Sequence, residues 1–124
     1  MKKILTNILL CTFVLLCTSC FEEADFGFPK TIKFSKEGGE KVVAGDVTYT
    51  HATIQDYKGN QSHLEQGEDD LTYAVYKWLK VEYKDLSNEE LKIYAEPNTS
   101  GKSRKLYIEL YSGPEYQVIK VKQD

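Results

Sequence analysis

Fifteen of the 124 residues are aromatic, nine of them tyrosine and one tryptophan. Rings are the side chains here with the most chemistry to offer a ligand. A sugar presents flat C–H faces that stack on rings, while its hydroxyls bond nearby polar groups. Tyr76, Trp78, Tyr94, Tyr107 and Tyr111 are the candidates for such a ligand-binding platform. Tyr107 and Tyr111 share one parity of an alternating run, with Glu109 between them, and Tyr94 has the outer parity of its own run. Tyr94 could sit across from one of them. Outward tyrosines on adjacent strands can equally just pair with each other, for ~0.2–1 kcal/mol per pair. Trp78 reads first as a core residue.

Other chemistry is thinner. Glu65, Glu68, Asp69 and Asp70 crowd one stretch near His63. Oxygen ligands of that kind can hold Ca²⁺, but the EF-hand spacing is absent, and a solvated acidic loop explains the cluster. His51 and His63 lack partners at zinc spacing, so no metal or cofactor is expected. Many carboxylates are present, but none lies in a pattern that brings two to a cleft for glycoside hydrolysis. There is no Gly-x-Ser-x-Gly elbow and no phosphate-binding glycine loop. The expectation is a protein that is not an enzyme. Net charge is −3, which argues against nucleic acid as a partner, since phosphate binding needs a basic stripe. Asn60-Gln61-Ser62 and Asn98-Thr99-Ser100 match a glycosylation sequon by chance; Asn98 is better read as a turn residue.

The elements that must position these rings read as strands. From Thr31 onward no stretch of a dozen residues keeps a 3.6 period, and short alternating runs are broken by Gly, Asn and Pro. Ile32 and Phe34 form one strand, Gly38-Gly39 a turn, and 40–44 a second strand, together a hairpin. Residues 47–57 favour a long strand. Residues 59–70 read as a loop, 71–76 as a strand, and 78–84 as a strand with Leu79, Val81 and Tyr83 on one face. A turn or a single helical turn at 86–90 leads to Leu91, Ile93 and Ala95 facing one way. After a turn at 97–102, Leu106, Ile108 and Leu110 alternate with Tyr107, Glu109 and Tyr111. Residues 112–115 make a hairpin turn into a last strand at 116–122. Seven to eight short strands of this spacing suit an all-β, antiparallel, immunoglobulin-like sandwich.

The first twenty residues read as an address. Lys2 and Lys3 precede a mostly apolar run from Ile4 to Leu16, which has the length of a signal-peptide core and is short for a membrane span. Leu16-Cys17-Thr18-Ser19-Cys20 resembles the lipobox of bacterial lipoproteins, in which the cysteine after a small residue is lipidated. The resemblance implies cleavage after Ser19 and lipidation of Cys20. An uncleaved N-terminal anchor is the other reading. Cleavage leaves 124 − 19 = 105 residues, with 14 cationic against 19 acidic side chains, so a net charge of 14 − 19 = −5. Cys11 and Cys17 leave with the leader, so Cys20 is the one mature cysteine and an intramolecular disulfide is excluded. Residues 20–30 then form a lipidated acidic tether, which Phe26, Gly27, Phe28 and Pro29 can dock, and 31–124 form the sandwich. Glu22, Glu23 and Asp25 look like the acidic export signal of Bacteroidetes surface lipoproteins, or are simply a solvated tether. The expected location is the outer membrane or cell surface.

The rhythm Trp78-Leu79-x-Val81, Leu91-x-Ile93, Asn98, Arg104-x-Leu106-x-Ile108 and Ile119-x-Val121-x-Gln123 resembles the BACON domain, an immunoglobulin-like sandwich of Bacteroidetes lipoproteins and glycanases. Ile32-x-Phe34-Ser35 with Gly38-Gly39 resembles its opening hairpin. The resemblance spans about 31–58 and 76–123. The family's earlier Trp-containing strand has no match, and 59–70 looks inserted. The resemblance implies carbohydrate or mucin association, or spacing of an enzyme from the cell; it carries over no sugar-binding residue. The other function class is a protein-interaction module, such as a protease inhibitor or a subunit of an outer-membrane complex, using an edge strand or 59–70.

Overall fold

The computed structural model describes residues 21–84 and 87–124. The expected leader and Cys20 lie outside the described residues, as do Asp85 and Leu86; the rest of the expected 86–90 turn is mostly strand, because the pairing of Tyr49 with Asn88 and of Ala44 with Glu90 extends β8 back to Asn88. Ten strands follow in order: β1 (Glu22–Glu23), β2 (Thr31–Phe34), β3 (Gly39–Tyr49), β4 (His51–Gln55), β5 (His63–Gln66), β6 (Leu71–Tyr76), β7 (Leu79–Lys84), β8 (Asn88–Ala95), β9 (Arg104–Ser112) and β10 (Glu115–Gln123). They form two five-stranded sheets packed face to face. The first runs β1-β10-β9-β4, with β2 also on β10, and the second runs β3-β8-β7-β6-β5. The architecture is the expected all-β sandwich.

Period-2 patterning builds the core. Leu106, Ile108, Leu110, Ile119, Val121, Ala52 and Ile54 come from the first sheet, and Ala74, Leu79, Val81, Tyr83, Leu91, Ile93 and Ala95 from the second; all are buried. Burying one such large apolar side chain contributes about 1.5–3 kcal/mol relative to leaving it exposed. Tyr49 is fully enclosed among them, and its hydroxyl reaches the Glu90 carbonyl at 2.6 Å.

Three expectations are corrected. Ile32-Phe34 and 40–44 do not form a hairpin. β2 pairs parallel with β10, while β3 pairs with β8, so the Gly38-Gly39 corner carries the chain from one sheet to the other. Gly38 sits at φ 76°, and a side chain there would run into the Ala95 carbonyl of β8. Residues 47–57 are not one strand either. β3 ends at Tyr49 after a register shift beyond Ala44, and β4 begins in the opposite sheet at His51. At that shift, Gly45 leaves room for the Phe28 ring against the backbone. Finally, 59–70 is not wholly loop, because β5 adds an edge strand to β6. All four β5 residues are exposed, so they leave no apolar alternation to read.

The acidic N-terminal segment is built into the sandwich. β1 pairs with the start of β10, and Phe26 and Phe28 are buried in the core. Gln117, buried on β10, clasps this segment: its Oε1 accepts from the Phe26 N–H at 2.8 Å and its Nε2 donates to the Phe28 carbonyl at 3.0 Å.

Candidate functional site

The outer face of the first sheet carries the aromatic cluster. On β9 the residues opposite the core positions are Tyr107, Glu109 and Tyr111. Register sets His51, Thr53 and Gln55 of β4 beside Tyr111, Glu109 and Tyr107. On the other side it sets Tyr116, Val118 and Lys120 of β10 beside the same three. The row His51–Tyr111–Tyr116 therefore crosses three strands. His51 and Tyr111 stack at 4.7 Å with 4° between their planes, and Tyr111 and Tyr116 lie at 5.8 Å. Phe21 meets Tyr111 edge-on at 6.1 Å. One row away, Tyr57 covers Tyr107 at 4.9 Å.

Glu109 lies between these two ring groups and is only 8% exposed. Its Oε1 accepts from the Tyr111 hydroxyl at 2.7 Å and the Thr53 hydroxyl at 3.3 Å, and its Oε2 accepts from the Tyr57 hydroxyl at 2.7 Å. Buried carboxylates persist when hydrogen bonds replace water in this way. The rings in turn feel the carboxylate. Burial first, then the bond and charge of Glu109, push the Tyr111 phenol up to about 12, and the same causes raise Tyr57. Both hydroxyls therefore stay protonated donors at neutral pH.

Tyr57 owes its position to its loop. It adopts φ 58°, uncommon for a residue with a side chain. Asp56 holds the turn: its carboxylate accepts from the backbone N–H groups of Lys58 and Asn60, from the Asn60 amide and from the Tyr76 hydroxyl. The Lys58 bond, ahead of those from Tyr76 and Asn60, lowers the Asp56 pKa to about 2. A cleft of about 500 Å³ opens beside the cluster, between β1 and β2, from Tyr107 and Val118 to Lys30 and Lys120.

The five expected platform residues do not come together. Tyr107 and Tyr111 share the face just described. Tyr94 lies on β8 in the other sheet and so does not sit across from either. Its ring is flanked by Lys80 at 4.8 Å and Lys92 at 5.4 Å, and its hydroxyl donates to Glu82. Tyr76 ends β6, packs against the core and donates to Asp56. Trp78 is buried, and the Arg104 guanidinium covers its ring at 4.7 Å. Lys80, Trp78 and Tyr94 do line a second cleft of about 560 Å³, with Glu40, Glu65 and Glu96 around it. His51, Tyr57, Glu109, Tyr116 and Phe21 complete the first-sheet cluster, and reading the sequence did not single them out. Outer parity marked Glu109, but the register that joins His51 and Tyr116 to Tyr111 is a property of strand pairing.

In the acidic stretch at 65–70 the described residues show a single short polar side-chain contact. His63 bonds Glu65 at 2.8 Å, and among the described residues no three His, Cys, Asp or Glu side chains converge.

The residues that carried the sequence rhythm form a corner clasp instead. The Gln123 amide donates to the Ser35 and Glu96 carbonyls and accepts from Arg104 Nε at 2.7 Å. Arg104 Nη2 also donates to the Glu96 and Pro97 carbonyls. Asn98 shapes its turn by donating to the Lys102 and Asp124 carbonyls and accepting from Ser100. These groups hold backbone together and have little left to offer a ligand.

Residues 68–124 match the family model described as "BACON: Putative binding domain, N-terminal". The matched span contains Trp78, Asn98, Arg104 and Gln123; the opening segment 31–58 lies outside it. An NMR structure of a protein from Bacteroides thetaiotaomicron is similar in fold. Its TM-score is 0.54 and its identity 18%, over 82% of this chain and 85% of that one. At that identity the likeness concerns the fold alone. No match is found among curated proteins. Residues 68–124 are thus similar to the BACON family model, and β1 to β5, which precede them, complete the all-β sandwich.

Proposed function

We propose that this is a non-catalytic glycan-binding module, displayed on a cell-envelope lipoprotein through Cys20. The observation that carries the reading is Glu109, buried between tyrosine hydroxyls on an outward face walled by rings. Its Oε2 accepts one bond where a carboxylate oxygen can take two, so a sugar hydroxyl has an acceptor waiting. Tyr57 and Phe21 are 54% and 59% exposed and can lie against C–H faces. Tyr111, by contrast, already stacks on its neighbours, so its hydroxyl and edge matter more than its face. Glycoside hydrolysis uses two carboxyl groups about 5–9.5 Å apart. Among the described residues no second carboxylate shares the donors of Glu109, which favours binding over catalysis.

The test is a glycan array probed with the purified protein and with Tyr57→Ala. Specific retention by the parent and a loss of tenfold or more in the variant are expected, on the order seen for an anchoring aromatic. Equal retention by a folded Tyr57→Ala would sink the reading. A second reading, protein interaction, is favoured by β5, an edge strand that ends the second sheet with Leu64 59% exposed. No glycan retained by a folded parent would move the weight there.

A further inference from the structure

Below the aromatic rows, the same sheet face turns cationic. Register places Lys33 of β2, Lys122 of β10 and Lys105 of β9 directly opposite one another across three adjacent strands. All three are exposed, and Lys120 lies one row nearer the rings, beside Tyr107. These lysines and Arg104 line a cleft of about 510 Å³, in which Asp124 is the acidic side chain. Both ion pairs found among the described residues, His63–Glu65 and Lys92–Glu40, lie on the other sheet. Like charges directly opposite on neighbouring strands cost stability. An acidic chain nevertheless sets these three lysines in one row, none of them in an ion pair among the described residues, and an external polyanion would relieve that repulsion.

We propose that this lysine ladder selects an anionic glycan, one carrying sulfate or carboxylate groups, as the ligand of the adjoining aromatic face. The inference rests on the glycan-binding reading above and narrows it. Three strands at ~4.8 Å spacing set the ammonium groups over roughly 10 Å, which suits a linear chain charged at regular intervals. The anionic groups would lie along Lys105, Lys122 and Lys33, and uncharged hydroxyls would reach the Glu109 row, where a further anion would be repelled.

A membrane surface is the other polyanion with this chemistry, and the layout disfavours it. The chain enters at the opposite end of β10, where Glu22 pairs with Glu115 and Glu23 with Tyr116. Lys122 lies six residues further along, ~20 Å away. An anchor preceding Phe21 therefore brings the acidic end to the bilayer and leaves the ladder facing outward.

The experiment is calorimetric titration of the purified protein with dextran sulfate, polygalacturonate and neutral dextran, at low and at physiological salt. The triple variant Lys33→Gln, Lys105→Gln, Lys122→Gln and the single variant Tyr57→Ala are run beside it. The expected result is binding of both polyanions, weakened by salt, and none of neutral dextran. The triple variant should bind about tenfold more weakly, as loss of three exposed ion contacts allows. It should also show a flatter salt dependence and melt no lower than the parent, since a repulsive row has been removed. Unchanged polyanion affinity in the triple variant overturns the ladder. So does binding to phosphatidylglycerol vesicles, with no polyanion bound, that the same substitutions abolish. If the triple variant loses binding and Tyr57→Ala does not, the ladder stands and the aromatic reading fails; the reverse pattern rejects the ladder alone.

Discussion

Glu109 and the two phenols that donate to it make a small polar island under a layer of rings, and their ionisation is coupled to folding. An unfolded tyrosine titrates near 10, whereas Tyr111 is pushed up to about 12 and Tyr57 and Tyr49 are also raised, by burial first in each case. Above pH 10 the unfolded chain sheds protons that the folded chain keeps. Stability is therefore fully present below about pH 10 and falls as pH climbs toward about 12. Urea melts across this range should show that fall, and Tyr111→Phe should flatten part of it. The same variant should lose about 1 kcal/mol at neutral pH with its hydrogen bond. Equal alkaline slopes for parent and variant would contradict the coupling. The parity of Tyr107, Glu109 and Tyr111 was legible from alternation alone. The contact between Tyr57 and Glu109 was not, because it depends on a loop residue at positive φ that folds back over β9.

At the scale of elements, β2, β3 and β4 are misread because their partners lie far away in the chain. The alternation at Ile32 and Phe34 marks a strand, but its partner is β10, some ninety residues on, and not the next strand. Gly38-Gly39 signals a reversal equally well whether the chain returns within its sheet or crosses to the other. β5 went unread because an exposed edge strand has no buried face to impose a period. In the segment before β2, Gln117 clasps the backbone on both sides of Gly27. Gln117→Leu keeps the size of the side chain but leaves the Phe26 N–H and Phe28 carbonyl without partners. The expected cost is about 2–3 kcal/mol, with new proteolytic cleavage between Ala24 and Lys30 under native conditions. A variant as stable and as resistant as the parent would show that the clasp contributes nothing.

Taken whole, the molecule is polarised along its first sheet. Glu22, Glu23 and Glu115 mark one end, where Phe21 and the His51–Tyr111–Tyr116 row also lie; Tyr107 and Tyr57 occupy the middle, and Lys33, Lys105 and Lys122 mark the far end. That order suits a domain tethered at its acidic end with its lysine row held farthest from the tether. A lipid carried by Cys20 would be enough to hold it there, since multiple acyl chains bind membranes stably. Cells fed radiolabelled palmitate should label the parent and not Cys20→Ser, and the variant should move from the membrane to the soluble fraction. Labelling that survives the substitution would remove the anchor from this description.

The sequence by itself determined the all-β class, the inward faces of β7, β8 and β9 and the BACON-like rhythm of the second half. Each of these follows from local alternation, in which a buried position recurs every second residue whatever the strand later pairs with. It also marked Trp78 as core, and Trp78 is buried, with the Arg104 guanidinium covering its ring. Only the tertiary structure decided which strands are neighbours, and with that which outward side chains meet. Tyr94 left the proposed platform because β8 belongs to the second sheet. His51 and Tyr116 joined Tyr111, and three lysines from β2, β9 and β10 fell into one row. Register is set by loop paths and core packing across the whole chain, so a site made of cross-strand neighbours exists only once the sheets have closed.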